Sequence, residues 1–388
     1  MSRDEPLYLD HNAGSPLRAE ALDAMLPLLR GPRSNANPSS IHLAGQAAHA
    51  ALDEARASVA ASLGGWPEEW VFTSGATEAC NLALKGLAAA GRPLLAGATE
   101  HPAVLETALA LKAAGTAVEV LPVETDGRVD RKALKEALAR HPGAAVALMA
   151  ANNETGVCND IAALTGIVRA AGGLLFCDLA QALGKLAVDV RALDVDLAAA
   201  SAVKYGGPQG SGLLYVRKGL DLKPLLQGGH QESGRRPGTE NLAGAAGSAA
   251  ALAAATAALG GQAAAWERGI ARLESGLRRL LPTVHVHGAG APRVPNTLSV
   301  SLPGVDRDLL LLRVDQLGLR ISAGAACAAG ANTPSHVLQA MGVAPDLKRS
   351  ALRFSLGPDQ GEDAADDALR RLAAALEGLR KAGLAPGP

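Results

Sequence analysis

Val195-Asp196-Leu197-Ala198-Ala199-Ala200-Ser201-Ala202-Val203-Lys204-Tyr205-Gly206-Gly207-Pro208-Gln209-Gly210 is the stretch that decides the fold. An apolar run from Val195 to Ala200 stops at a lysine set between small residues and a glycine-rich turn. The run reads as a buried strand, with Lys204 just past its end. An amine so placed is poorly solvated. Desolvation lowers its pKa and makes it more nucleophilic, which suits imine formation with a carbonyl compound. On this motif alone, an ordinary surface lysine at a strand end is an equal alternative.

The same unit recurs outward from that stretch, between residues 70 and 217. Short apolar runs stand at Trp70-Val71-Phe72, Pro93-Leu94-Leu95-Ala96, Ala145-Val146-Ala147-Leu148-Met149, Leu174-Leu175-Phe176-Cys177 and Leu197-Ala198-Ala199-Ala200. Continuous apolar runs spaced by helix-like segments predict a parallel sheet covered on both faces. Each run gives way to a polar cluster: Thr73-Ser74-Gly75-Ala76-Thr77-Glu78, Thr99-Glu100-His101, Asn152-Asn153-Glu154-Thr155-Gly156, Asp178-Leu179-Ala180-Gln181 and Ser201-Ala202-Val203-Lys204. These clusters fall at the carboxyl ends of the strands, the edge where open α/β sheets bind ligands. An active site explains their Asn, His, Asp, Gln and Lys better than ordinary loops do.

Composition sets the limits. The 388 residues suffice for two domains. A net charge of -1 with no basic stripe argues against nucleic acid. No stretch reads as long and uniform enough to span a bilayer. Met1-Ser2-Arg3-Asp4-Glu5-Pro6 lacks the apolar segment of a signal peptide. The four cysteines, Cys80, Cys158, Cys177 and Cys327, form no C-x-x-C pair, which disfavours a disulfide framework and a zinc site. The expected compartment is the cytoplasm. Aromatics make up 2%, so Ala, Leu and Val must fill the core.

An Ala-rich helical stretch from Leu242 to about Arg279 follows, linking a large domain to a smaller one. The last third carries strand candidates at Val284–His287, Asn296–Val300 and Leu352–Ser355, with helices near Asp306–Leu317 and Asp363–Ala382. That mixture predicts an α+β C-terminal domain. The division is 15–260 for the large domain, and 1–14 with 261–388 for the small one.

The clusters carry chemistry. Thr73-Ser74-Gly75-Ala76-Thr77 joins a strand to a helix. Small residues and free N–H groups at a helix start make an anion cradle. His101, between Glu100 and Pro102, can stack on a cofactor ring and carry protons, or it is a surface loop histidine. Asp178 closes an apolar run, and a buried carboxylate needs a partner. A protonated pyridine nitrogen, as in pyridoxal 5'-phosphate (PLP), is one such partner, and a helix N-cap is the alternative. Gln181 can then meet the ring hydroxyl. Asp178 precedes Lys204 by 26 residues, a separation that fits two neighbouring strands plus a connection. Cys327 lies in Ser322-Ala323-Gly324-Ala325-Ala326-Cys327-Ala328-Ala329-Gly330-Ala331-Asn332, an accessible tether of small residues. The other three cysteines read as core residues, which leaves Cys327 as the candidate reactive thiol.

Several motifs together resemble a known family. Asp178-x-x-Gln181, Ser201-x-x-Lys204, Gly228-Gly229-x-Gln231-Glu232-x-Gly234-x-Arg236-x-Gly238-Thr239-Glu240-Asn241 and Pro334-Ser335-His336-Val337-Leu338 look like the cysteine desulfurases, a branch of the class V aminotransferases with PLP fold type I. The likeness runs from Tyr8-Leu9-Asp10-His11-Asn12-Ala13, through Asn37-Pro38-Ser39-Ser40-x-His42, to Leu352-Arg353-x-Ser355-x-Gly357, with regular spacing. It implies an α/β large domain with a mostly parallel sheet, and a smaller α+β domain carrying a cysteine loop at about 322–334. It also implies a PLP-dependent enzyme that converts L-cysteine to L-alanine.

The resemblance implies roles residue by residue. Lys204 would form the Schiff base with PLP, His101 would stack on the ring, Asp178 would pair with the pyridine nitrogen and Gln181 with the phenolic oxygen. Ala76, Thr77 and Ser201 would cradle the phosphate, joined by Thr239 from the partner subunit of a homodimer. Asn153 would touch cofactor and substrate. Arg353 and Asn12 would complete the substrate site, a guanidinium fork suiting a planar carboxylate. Cys327 would carry the persulfide and pass it to a sulfur-acceptor protein, an iron–sulfur scaffold or a thiolation carrier. No metal, membrane or direct nucleic-acid contact is implied. Two positions depart from the pattern. Val203 stands where the family usually has a phosphate-binding histidine, which predicts weaker PLP retention. Phe176 stands where a histidine is common. A selenocysteine lyase or another class V PLP enzyme, and an inactive paralogue serving as a binding scaffold, are the rival readings.

Overall fold

The computed structural model describes residues 5–30, 36–324 and 335–386. β1 (Leu7–Tyr8) precedes α1 (Ala19–Arg30) and α2 (Leu43–Leu63). β2 (Trp70–Thr73) leads into α3 (Ala76–Ala89), β3 (Leu94–Gly97) into α4 (Pro102–Ala113), and β4 (Val118–Leu121) into α5 (Arg131–Arg140). β5 (Ala145–Met149), α6 (Ile161–Ala170), β6 (Leu174–Asp178), β7 (Leu197–Ser201) and β8 (Gly212–Val216) follow. After α7 (Leu242–Leu280) come β9 (His285–Val286), β10 (Thr297–Ser301), α8 (Arg307–Gln316), β11 (Leu319–Arg320), α9 (His336–Ala340), α10 (Pro345–Arg349), β12 (Ala351–Ser355) and α11 (Glu362–Lys381).

The large sheet has seven strands in the order β2-β8-β7-β6-β5-β3-β4. β7, β6, β5, β3 and β4 are parallel neighbours. β8 runs antiparallel to both β7 and β2, which returns β2 to the common direction. All five apolar runs of the sequence therefore send their carboxyl ends to one edge. β4 and β8 were not among them. β4 is half-exposed and carries Glu119, so it lacks the uniform apolar signature of a covered strand.

The runs are apolar because both faces are buried. Val146 and Leu148 of β5 point into the core shared with α2, α6 and the first part of α7. Ala145 and Ala147 point the opposite way, into the core under α3 and α4. β7 divides likewise, with Ala198 and Ala200 on one side and Leu197 and Ala199 on the other. This is the period-2 alternation of a strand with no wet face.

α7 is long and apolar enough, by length and composition, to cross a membrane. That corrects the expectation that no such stretch exists. Its setting explains the composition, because it packs on α1, α2 and α11. Ala245, Ala249 and Leu252 enter the core of the large sheet, while Trp266, Ile270, Leu273 and Leu277 enter a separate core. That second core is built on the antiparallel sheet β12-β10-β9, with α8 and α11 against it. On α11, Ala365, Ala368, Leu372, Ala375 and Leu376 are buried at helical spacing. Each fully buried leucine there contributes about 1.5–3 kcal/mol. β1 pairs in parallel with β11, which ties Leu7 and Leu9 into this core.

Candidate active site

At the carboxyl edge of the sheet, β2 turns into α3 through Thr73-Ser74-Gly75. The start of α3 has no side-chain cap. A Cβ at Gly75 would meet nothing within 4 Å, and Ser74 and Thr77 are exposed, so the uncapped turn is open, and an uncapped helix start of this kind can take an anion. Close packing holds this turn: a Cβ at Gly212 of β8 would fall 2.5 Å from Gly75 Cα. Glu78 steadies it by accepting the Ser74 N–H at 2.7 Å and the Arg236 Nε–H at 2.9 Å. Arg236 thereby brings the 228–241 segment, which carries the exposed Thr239, against this turn.

His101 caps α4, its Nδ1 accepting from Ala103 N–H at 3.1 Å. In a neutral ring the proton therefore sits on Nε2. Burial lowers the His101 pKa; Asp178 pulls it up, and Lys204 and His336 push it down. Asp178 ends β6, buried, with Oδ1 accepting from Ala180 N–H at 2.8 Å. Burial pushes its carboxyl up, while the Ala180 hydrogen bond and the charges of His101 and Lys204 pull it down. These mutual effects put Asp178, His101 and Lys204 in one neighbourhood. Glu100 is fully buried nearby, with Oε1 accepting from Met149 N–H at 2.9 Å and Oε2 without a partner among the described residues. Burial holds that carboxyl well above the usual range.

Lys204 follows β7 in a short 3-10 turn and is half-buried rather than buried. Gly206, at φ 85°, supplies the left-handed residue that the turn requires. Lys204 Nζ donates to Asn12 O at 2.9 Å and to Ala13 O at 2.7 Å. Gln181 Nε2 donates to the same Asn12 oxygen at 2.9 Å. The Asn12 side chain is also committed, donating to Thr297 Oγ1 at 2.9 Å and Asn153 O at 3.2 Å, and accepting from Lys185 Nζ at 2.7 Å.

Asn152 shapes the next turn, its Oδ1 accepting from the Glu154 and Thr155 N–H groups at 2.9 Å each. That leaves Asn153 half-buried, with its carbonyl taking Arg353 Nη1 at 2.8 Å. Arg353 is 1% exposed. Its Nη2 donates to Asp10 Oδ1 at 2.5 Å and its Nη1 reaches Gly324 O at 3.3 Å, while Nε lacks a partner among the described residues. Ser335 Oγ donates to Glu154 Oε2 at 2.5 Å, and His336 Nε2 pairs with Glu100 O at 2.9 Å. Cys327 lies outside the described residues.

Ala76 and Thr77 thus stand at the uncapped start of α3, and Ser201 closes the strand before Lys204. Asn12, Asn153, Asp178, Gln181, His101, Lys204 and Arg353 are joined through the contacts above. Sequence reasoning missed Lys185 and the buried acids Glu100 and Glu154. The spacing of Lys185, four residues after Gln181, was its one available signal.

The family pattern described as aminotransferase class-V matches residues 7–366. The chain is 40% identical over 382 residues to the cysteine desulfurase IscS of Anaeromyxobacter sp. (strain K), covering 97% of this chain and 94% of that one. It is 42% identical over 367 residues to a cysteine desulfurase of Frankia sp. (strain EuIK1), covering 90% and 86%. A solved NifS-like protein superposes with a TM-score of 0.90 at 34% identity, covering 96% of this chain and all of that one. Motifs, fold and relatives agree: this chain belongs to the class-V aminotransferase family.

Proposed function

We propose that this protein is a PLP-dependent cysteine desulfurase that converts L-cysteine to L-alanine and leaves a persulfide on Cys327. The observation that carries the reading is the convergence of Asp178, His101, Lys204 and Gln181 at one sheet edge beside the uncapped start of α3. The donor set fits the coenzyme. A buried carboxylate suits its pyridine N–H, an amide its phenolic oxygen, a primary amine its aldehyde, and open helix amides with Thr77 and Ser201 its phosphate. When bound, PLP supplies an electron sink for charge developing on the substrate.

The chain's own groups do the rest. Asp178 would pair with the ring nitrogen and keep it protonated. Lys204 would take the substrate Cα proton and later return it to Cα, and His101 would move protons through Nε2. Asn153 and Arg353, whose Nε–H has no partner among the described residues, receive the substrate carboxylate. The Cys327 thiolate attacks the substrate sulfur. The S–S bond forms as the Cβ–S bond breaks, and its electron pair stays on carbon, which takes a proton to give alanine. The other cysteines are poor thiolates. Burial raises Cys80 and Cys177 well above the usual thiol range and pushes Cys158 up to about 11.

The same reading has Thr239 reaching the phosphate of a partner subunit in a homodimer, since it is exposed in this chain. It divides the chain near residue 260, within α7. It places the enzyme in the cytoplasm and passes the sulfur to an acceptor protein, an iron–sulfur scaffold or a thiolation carrier. The test is to incubate the protein with PLP and L-cysteine. Alanine should appear, and the peptide containing Cys327 should gain the mass of one sulfur. Cys327→Ser should keep the bound coenzyme and lose sulfur transfer. Alanine formation that survives Cys327→Ser undiminished would point to a lyase that needs no cysteine.

A further inference from the structure

We propose that Lys185 is a positioning residue that fixes which end of the Gln181 side-chain amide faces the coenzyme. Lys185 is 4% exposed. Its Nζ donates to Asn12 Oδ1 at 2.7 Å and to Gln181 Oε1. Gln181 Nε2 in turn donates to Asn12 O, which closes a ring of three side chains around one peptide carbonyl. Lys204 Nζ donates to that same carbonyl, so the ring is one hydrogen bond from the candidate reactive amine.

Among the described residues no carboxylate pairs with Lys185. The groups facing it are Lys204, Arg353, His11 and the Cys158 thiol. Burial, then the charges of Lys204 and Arg353, hold its amine well below the usual lysine range. The amine donates N–H, and here two amide oxygens receive it, Asn12 Oδ1 and Gln181 Oε1. A buried lysine without a counter-ion is unfavourable unless its hydrogen bonds are made, so those two acceptors account for its presence.

The consequence falls on Gln181. An amide looks nearly the same from either end, and it turns to suit its neighbours. Lys185 donates to Oε1 while the Asn12 carbonyl, which can only accept, takes an N–H from Nε2, so the two ends of the amide are told apart and Gln181 has its second N–H to offer beyond the ring. An acceptor such as the phenolic oxygen of PLP then meets a donor. With the amide reversed it would meet another acceptor, and the interaction would turn repulsive. This inference rests on the reading that Gln181 meets that oxygen.

The test is spectroscopic. The absorbance band of the lysine-bound coenzyme is recorded against pH for wild type, Lys185→Met, Gln181→Leu and the double variant, each reconstituted with PLP. Met keeps the length and removes the donors. Lys185→Met should move the band's pKa by about half a unit to one unit. The double variant should match Gln181→Leu alone, since Lys185 acts only through the amide. Gln181→Leu shifting the band while Lys185→Met does not, or the two shifts adding, would overturn the proposal and leave Gln181 on the coenzyme. A silent Gln181→Leu would overturn both. Should Lys185→Met fail to fold, Lys185→Gln still offers an N–H to Oε1 and should keep the wild-type band. A shift in that variant as large as the one from Gln181→Leu would sink the idea.

Discussion

Lys204 and Gln181 converge on one oxygen: each donates to the main-chain carbonyl of Asn12 at 2.9 Å. Lys204 arrives from the end of β7, Gln181 from the turn after β6, and Asn12 from the N-terminal segment. That segment is held by Asn12 N–H on Ser355 Oγ at 2.9 Å. The amine is therefore parked by hydrogen bonds to backbone. Lys204→Ala should leave the fold intact, abolish the visible band of bound PLP and lower alanine formation by about 10³-fold or more, the scale of losing a positioned base and covalent anchor. Absorbance and a coupled alanine assay read both. A visible band that persists would mean that another amine holds the coenzyme.

Val203 is half-buried beside this carbonyl cluster, and its own carbonyl accepts from Ser15 N–H at 2.9 Å. Its side chain cannot donate to a phosphate. Gly14 faces it: a Cβ there would lie 3.3 Å from Val203 Cγ2. The missing Cβ leaves room for a larger ring. Val203→His should slow PLP release about ten- to a hundredfold, the worth of one hydrogen bond to a charged group. Stopped-flow release into an apo-enzyme trap would measure it, and an unchanged rate would show that the phosphate lies beyond reach of position 203.

How much of this was readable from the sequence depended on distance along the chain. A strand buried on both faces writes itself as an apolar run, and the residue that ends the run marks the functional edge, so Asp178 and Lys204 could be placed. β4 could not, because Val118-Glu119-Val120-Leu121 is half wet and shows no such run. Lys185 looks like a solvated lysine after Gly184, and its burial comes from Asn12, 173 residues earlier. Arg353 reads as a partner for the substrate carboxylate, and that its Nη2 also serves Asp10, 343 residues away, is invisible locally. Local pattern fixes which edge is active. The contacts that orient the side chains at that edge are long-range.

The 228–241 segment depends on an ion pair that no local pattern announces. Arg56 on α2 meets Glu232 at 2.7 and 3.1 Å, and its guanidinium lies 5.1 Å from the Phe72 ring centre. Glu232 and Ser233 both adopt left-handed backbone, at φ 50° and 57°, a conformation that non-glycine residues hold only when the surroundings impose it. Arg56→Ala removes that restraint and strands a buried carboxylate. It should cost about 2–4 kcal/mol by urea unfolding. Glu232→Gln, which keeps a hydrogen-bond acceptor, should cost less. Equal costs would mean that stranding the Glu232 carboxylate adds no penalty of its own.

Acid sensitivity has a specific source in the smaller core. His287 is 1% exposed; its Nε2 pairs with Ser301 Oγ at 2.7 Å and its Nδ1 has no partner among the described residues. Burial, reinforced by His285, lowers its pKa from 6.5 to about 4. Above pH 6.5 the ring is neutral whether the chain is folded or not, and it contributes no pH dependence. As the pH falls from 6.5 towards 4 the unfolded chain takes up a proton that the folded chain refuses, so stability drops, by at most about 3 kcal/mol once pH 4 is passed. His287→Asn preserves a polar group facing Ser301 but does not titrate. Its unfolding free energy should therefore fall less steeply than wild type between pH 6.5 and 4, and the two slopes should agree above pH 7. Parallel curves through the acid range would show that His287 takes up its proton without unfolding the core.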